Sequence, residues 1–161
     1  MDRQLPSARL SAGILLFRRG SGRLEILLVH PGGPYWRSRD AGAWQLPKGA
    51  VEDGEVPLEA ALREFEEEVG ARLSGDPMPL GRVRQAGGKW VEAFALEADF
   101  DPEALVSIEF EIEWPPRSGR MRSFPEVDRA AWFTVAKARS KMLPSQQPLL
   151  DRLIELLGHD G

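Results

Sequence analysis

An α+β domain with a central mixed sheet between helices is the fold class this sequence predicts. Three observations predict it. Apolar segments of strand length, bounded by Gly, Pro and polar residues, recur along most of the chain. One strongly amphipathic helical pattern interrupts them in the middle, and a Leu-rich helical pattern stands near the C-terminus. No repeat, linker or low-complexity tract divides the 161 residues, so they read as one domain spanning 1–161.

Residues 9–18 and 24–30 are apolar segments separated by Gly20, Ser21 and Gly22, which predicts two strands joined by a turn. A Gly- and Pro-rich loop occupies residues 31–42, and residues 44–46 form a short strand candidate ending at Pro47. The clearest helix covers Pro57 to Val69: Pro57 suits a first turn, Gly70 suits a termination, and Leu58, Ala61, Leu62, Phe65 and Val69 recur at helical spacing. Residues 80–84 and 91–98 read as strands around Gly87 and Gly88, and residues 108–114 alternate well enough for another. The run from Pro115 to Arg120 is a loop, and residues 130–133 are a last strand candidate. Two helices close the chain, over 135–142 and 146–157; the second has Leu149, Leu150, Leu153, Leu156 and Leu157 as its packing face.

Composition narrows the chemistry. With 42% hydrophobic and 29% charged residues and no long apolar run, the chain is expected to be soluble and cytoplasmic, with no membrane partner. The first eleven residues lack the apolar stretch of a secretory signal. Cysteine is absent, which excludes disulfides, thiolate zinc sites and cysteine nucleophiles, and only His30 and His159 could supply imidazole. A metal site would therefore be built from oxygen donors, which select hard cations such as magnesium or manganese. A net charge of −4 without a basic block gives no footprint for duplex nucleic acid.

Within the central helix, Glu64, Glu67 and Glu68 stand at i, i+3 and i+4. At about 100° per residue they share one arc, rotated away from the apolar stripe, while Glu66 points elsewhere. Like charges at these spacings repel, and near a helix C-terminus they also oppose the dipole. Solvation of an exposed face is one account of such a cluster; a bound divalent cation, which converts repulsion into ligation, is the other.

From Gly49 to Ala71 the chain reads Gly49, five residues, Glu55, seven residues, then Arg63, Glu64, Phe65, Glu66, Glu67, Glu68, Val69, Gly70 and Ala71. This segment resembles the Nudix box, with all seven fixed positions matched and an aromatic residue, Phe65, where an aliphatic one is usual. The upstream Trp44, Gln45, Leu46, Pro47 and Lys48 and the paired strands extend the similarity to nearly the whole chain. The resemblance implies a Nudix-type α/β/α sandwich that hydrolyses a phosphoanhydride bond, with Mg2+ as cofactor and Mn2+ able to substitute. It implies Glu67 and Glu68 as metal ligands, Glu64 as a further ligand or a base, Gly49 as a carbonyl donor, and an Arg63–Glu55 ion pair that orients the glutamates. Glu126, six residues before Trp132, resembles a downstream element reaching back to the metals; a role in stabilising the turn beside Asp128 is the alternative.

No Ser-His-Asp arrangement and no Walker-type phosphate loop competes with this reading. Lys48, directly before Gly49, places a cation where an additional phosphate could be held, and the Pro-Lys-Gly form resembles Nudix hydrolases of dinucleoside polyphosphates such as diadenosine tetraphosphate. A nucleoside triphosphate pyrophosphatase is the alternative activity, and a nucleotide-sensing domain without activity is a third. Tyr35, Trp36 and Trp90 could stack a base or anchor loops and core. Arg82, Arg84, Lys89, Arg117, Arg120 and Arg122 are candidate phosphate contacts or solvated surface, and His30 fits a loop hydrogen bond better than catalysis. The expected partner is a small-molecule nucleotide, and the C-terminal helix leaves a homodimer open.

Overall fold

A computed structural model describes residues 10–20 and 22–158 of the chain. The expected start of the first strand at Arg9, Ser21 of the first turn, and His159 lie outside these residues. Strand β1 (Leu10–Gly20) is the centre of a six-stranded mixed sheet in the order β4-β5-β1-β2-β8, with β3 also paired to β1. The other members are β2 (Arg23–Pro31), β3 (Lys48–Ala50), β4 (Met78–Arg84), β5 (Trp90–Glu97) and β8 (Val127–Thr134). β1 and β5 run parallel, and every other pairing is antiparallel.

Both faces of the sheet are covered, which explains why β1 and β2 are apolar at nearly every position rather than at alternate ones. Leu10, Ala12, Ile14 and Leu16 of β1, with Leu27 and Val29 of β2, pack under helix α1 (Pro57–Val69) against Ala60, Ala61, Phe65 and Val69. Leu15 and Phe17, with Leu24, Ile26 and Leu28, face helices α2 (Val135–Lys141) and α3 (Gln147–Leu157) through Ala138, Met142, Leu149, Leu150 and Leu153. The result is an α/β/α sandwich, as the sequence predicts.

β1 and β2 pair only from Phe17↔Ile26 to Gly20↔Arg23 and then part. The segment 45–50 fills the gap. Gln45 exchanges backbone hydrogen bonds with Val29 (2.8 and 3.0 Å), the Pro47 carbonyl accepts from Ile14 N–H (3.1 Å), and β3 pairs with residues 11–13. The short strand expected at 44–46 is therefore corrected: Trp44 and Gln45 make only isolated bridges, and the strand lies beyond Pro47. Proline has no N–H to continue a ladder, but here its carbonyl is what the parted strands require.

A second departure concerns β6 (Glu109–Glu113), which does not join the main sheet. It pairs with β7 (Met121–Pro125), which the sequence reading did not anticipate, to form a separate two-stranded arm. The residues Pro115 to Arg120 form its turn region, as expected.

The segment 45–50 is pinned from the opposite layer by Gln146, whose side chain is fully buried. Its Oε1 accepts from Leu46 N–H (3.1 Å) and its Nε2 donates to Gln85 Oε1 (3.1 Å). Replacing Gln146 with Ala leaves a buried amide and a glutamine oxygen without partners, so Gln146→Ala is expected to lower stability by about 1–3 kcal/mol in urea unfolding. A change near zero would show that the loop does not depend on this tie.

Candidate active site

Helix α1 begins with Pro57 in its first turn and ends at Gly70, which takes a left-handed conformation (φ 87°) and donates its N–H to the Glu66 carbonyl (2.8 Å). Its apolar stripe fixes the rotation of the helix, and this rotation presents Arg63, Glu64, Glu67 and Glu68 toward the segment 48–50. The last carbonyls of the helix are also closed by tertiary partners: Glu67 O accepts from Ile108 N–H and Val69 O from Val106 N–H, both at 3.0 Å. The root of the β6–β7 arm is thereby tied to the glutamate-bearing turn.

Arg63 is the hub. Its Nε and Nη2 donate to Glu55 (2.8 and 3.0 Å), its Nη1 to Glu64 (2.9 Å) and Glu67 (3.2 Å), and its Nη2 also to the Ala50 carbonyl (2.9 Å). One guanidinium thus joins the loop, β3 and two of the three clustered glutamates. The expected Arg63–Glu55 pair is present, and the hydrogen bonds from Arg63 hold the Glu55 carboxyl below its ordinary range.

Glu64 lies against Gly49. A Cβ at Gly49 would stand 2.0 Å from the Glu64 carboxyl carbon, so only glycine permits this approach. Glu68 accepts from Lys48 N–H (3.2 Å). Burial pushes the Glu68 carboxyl up to about 8; the Lys48 charge opposes this, while Glu64 and Glu126 add to it. Burial likewise raises Glu64, against the Arg63 hydrogen bond, and lowers Lys48, against the attraction of Glu68.

Glu126 follows β7 directly. Its N–H donates to Ile108 O (2.8 Å) and its carbonyl accepts from Gly32 N–H (2.9 Å), fixing the backbone at both poles. Its side chain, with Lys48 and Glu68, lines two adjoining cavities. One, of about 340 Å³, also holds Glu64, Glu67 and Gly49. The other, of about 360 Å³, is walled by Tyr35, Trp36, Phe110 and Gln45. Gln45, which carries no sequence signal of a binding residue, lines this second cavity because its backbone bridges the parted strands.

The donor set suits a hard divalent cation. It consists of carboxylate oxygens and a glycine carbonyl, and burial, with a smaller addition from mutual repulsion, raises two of the carboxyls. As they stand, no three such side chains among the described residues converge on one point; one oxygen each of Glu64 and Glu67 accepts from Arg63, and one of Glu68 accepts from the Lys48 N–H.

The remaining candidates fall elsewhere. Trp90 opens β5, lines neither cavity, and packs at the edge of the α1-side core with the Arg84 guanidinium 5.9 Å above its ring, an anchoring position. His30 is fully buried, with Nδ1 at 2.8 Å from Asp128 and Nε2 at 2.6 Å from the Arg39 carbonyl, so it serves loop hydrogen bonding. Arg82 pairs with Glu92 on the β4–β5 ladder.

Comparisons with known proteins give the family and the fold. The family model for the NUDIX domain matches residues 7–153. An RNA pyrophosphohydrolase of Rhodospirillum rubrum is 41% identical over 95% of the chain and 94% of its own length. A nucleoside triphosphate pyrophosphatase/Nudix hydrolase fusion protein of Bifidobacterium longum is 36% identical over 66% of the chain, a match spanning 23% of that longer protein. Among solved structures, an Ap4A hydrolase of C. elegans in a binary complex superposes with a TM-score of 0.64 at 20% identity, over 92% of this chain and 98% of that one, a likeness of fold. With the family model covering nearly the whole chain and the complete box in place, this protein belongs to the Nudix family and is a hydrolase.

Proposed function

We propose that the chain hydrolyses a phosphoanhydride bond in a nucleotide carrying an extended run of phosphates. The observation that carries this reading is the continuity of the two cavities across Lys48, Glu68 and Glu126: a carboxylate-rich pocket adjoins an aromatic-walled one. Polyphosphate and base would occupy them in that order.

Glu64, Glu67, Glu68, Glu126 and the Gly49 carbonyl would hold Mg2+, or Mn2+ in its place. The bound cation supplies an acidified water and neutralises charge on the phosphate oxygens. Glu64, whose carboxyl burial already raises, is suited to take the proton of the attacking water. The water oxygen bonds to phosphorus, the bond to the bridging oxygen breaks, and the leaving phosphate departs. Arg63, held by Glu55, positions Glu64 and Glu67, and Lys48 offers its ammonium to a further phosphate. Tyr35, 57% exposed at the mouth of the second cavity, offers a ring to the base.

Two substrate forms fit this description. Lys48 and the Pro-Lys-Gly sequence favour a dinucleoside polyphosphate such as diadenosine tetraphosphate, and the name of the 41% identical relative favours a triphosphate at an RNA 5′ end. A substrate panel with product identification separates them. Magnesium-dependent turnover is expected, giving two nucleotides from a dinucleotide, or a monophosphate end and pyrophosphate from a triphosphate. Absence of turnover on every polyphosphate, with either magnesium or manganese, would overturn the proposal.

A further inference from the structure

Glu126 stands where one ladder hands the chain to another. The pairing of β6 with β7 ends at Glu109↔Pro125, and one residue further the same register sets Ile108 opposite Glu126. Val127, the next residue, already belongs to β8 and pairs with Pro31. Hydrogen-bonded pairs of an antiparallel ladder exchange two backbone bonds. Ile108 and Glu126 make only one of them, from Glu126 N–H to the Ile108 carbonyl (2.8 Å). The two groups left over turn outward: Ile108 N–H donates to the Glu67 carbonyl (3.0 Å), and the Glu126 carbonyl accepts from Gly32 N–H (2.9 Å). The opened pair thus hooks the glutamate helix on one side and the Gly- and Pro-rich loop on the other.

Beyond the opened pair, the N–H of buried Val127 is met by a side chain in place of a β6 carbonyl. The Ser107 Oγ accepts from Val127 N–H (3.1 Å) and donates to the Ile108 carbonyl (3.1 Å), the same oxygen that receives Glu126 N–H. Both peptide groups that flank the Glu126 Cα are therefore tied to residues 107 and 108. Fixing the two peptide planes fixes φ and ψ, and with them the direction in which the side chain leaves the backbone. That direction follows the alternation of β7, which puts Glu126 on the face of Phe124 and its partner Phe110. The carboxylate accordingly enters both cavities, beside Lys48 and Glu68 in each and beside Glu64 and Glu67 in one. Gly32 closes the mount from behind: a Cβ there would stand 1.9 Å from the Pro125 carbonyl oxygen.

Resting on the reading of Glu126 as a ligand of the cation given above, we propose that Ser107 is a positioning residue for Glu126. Its hydroxyl locks the backbone on both sides of that residue and so delivers the carboxylate to the glutamates of α1.

Mn2+ binding to the full chain, followed by the loss of the free-ion paramagnetic resonance signal, tests this without turnover. Ser107→Ala is expected to weaken Mn2+ binding about tenfold, the lower end of the range for residues that orient metal ligands. Ser107→Thr, which keeps the hydroxyl, is expected to bind as the parent does. Ser123→Ala, which removes an exposed hydroxyl from the reverse face of β7, is expected to change nothing. Glu126→Gln is expected to weaken binding at least as much as Ser107→Ala, and the double variant no more than Glu126→Gln alone, because the hydroxyl acts only through that carboxylate. Unchanged binding in Ser107→Ala beside a weakened Glu126→Gln would overturn the positioning role and leave Glu126 as a ligand. Additive losses in the double variant, or no recovery with Thr, would also overturn it, since the hydroxyl would then act on the fold at large. Unchanged binding in Glu126→Gln would remove Glu126 from the cation site, and the proposal with it.

Discussion

Glu68→Gln is expected to reduce hydrolysis on the order of a thousandfold while leaving the protein folded. The side chain stands off the apolar stripe of α1, so its replacement by an amide of the same shape removes an ionisable carboxyl without opening a cavity. The same substitution has an effect on stability whose sign follows from burial. The folded protein raises the Glu68 carboxyl to about 8, above the ordinary value near 4.5, so between those limits it holds a proton that the unfolded chain has released. The folded state then binds more protons than the unfolded one, and stability falls as pH rises through this window. Urea unfolding in EDTA from pH 5 to pH 9 should show that decline in the parent and a flatter profile in Glu68→Gln. Comparing the two separates Glu68 from Lys48, which burial shifts in the opposite direction. Turnover within tenfold of the parent would remove Glu68 from the chemistry, and parallel pH profiles would show that its carboxyl is not desolvated.

Gly49→Ala is the second large effect, and it should separate activity from stability. The added methyl would meet the Glu64 carboxyl at 2.0 Å, a contact with the free end of a side chain and not with backbone. The carboxylate can swing aside, and the backbone at Gly49 is of a kind alanine adopts, so the fold should tolerate the change; the reduced freedom of the unfolded chain favours it by about 0.4–1 kcal/mol. Glu64 cannot remain where Arg63 now holds it, however. A displacement of about 1 Å in a reacting group can cost a hundredfold. The expected result is a melting temperature equal to or slightly above that of the parent with kcat reduced about a hundredfold. Full activity would mean that the close approach of Gly49 to Glu64 has no part in the reaction.

The helix bearing these glutamates was legible in the sequence to the residue, because its start and stop signals and its apolar stripe depend only on local spacing. The same holds for the ends of most main-sheet strands to within a few residues. What escaped were features created by distant partners. β7, with Met121, Arg122, Ser123 and Pro125, has no apolar alternation of its own and becomes a strand only because β6 supplies one. The sequence predicts a strand before Pro47, while β3 lies after it, since the gap it fills exists only where β1 and β2 part. Arg63 and Glu55 could be paired from the box, but the reach of Arg63 to Ala50 O and Glu67 depends on how β3 lies beneath the helix. Trp90, an aromatic residue beside a glycine turn, had the composition of a binding residue and the location of an anchor.

The parallel pairing of β1 with β5 has a consequence for how the molecule comes into being. Leu10 is matched to Trp90 and Phe17 to Glu97, a separation of 80 residues at both ends of the ladder. On a ribosome the middle strand therefore emerges early, zips locally onto β2, and waits with its other edge bare until the partner is synthesised. Loop closure over such distances places assembly among the slower, millisecond-to-second class of folding reactions. During that wait the leucine-rich run from Ile14 to Phe17 is the segment most prone to self-association, so nascent-chain capture by chaperones should concentrate there.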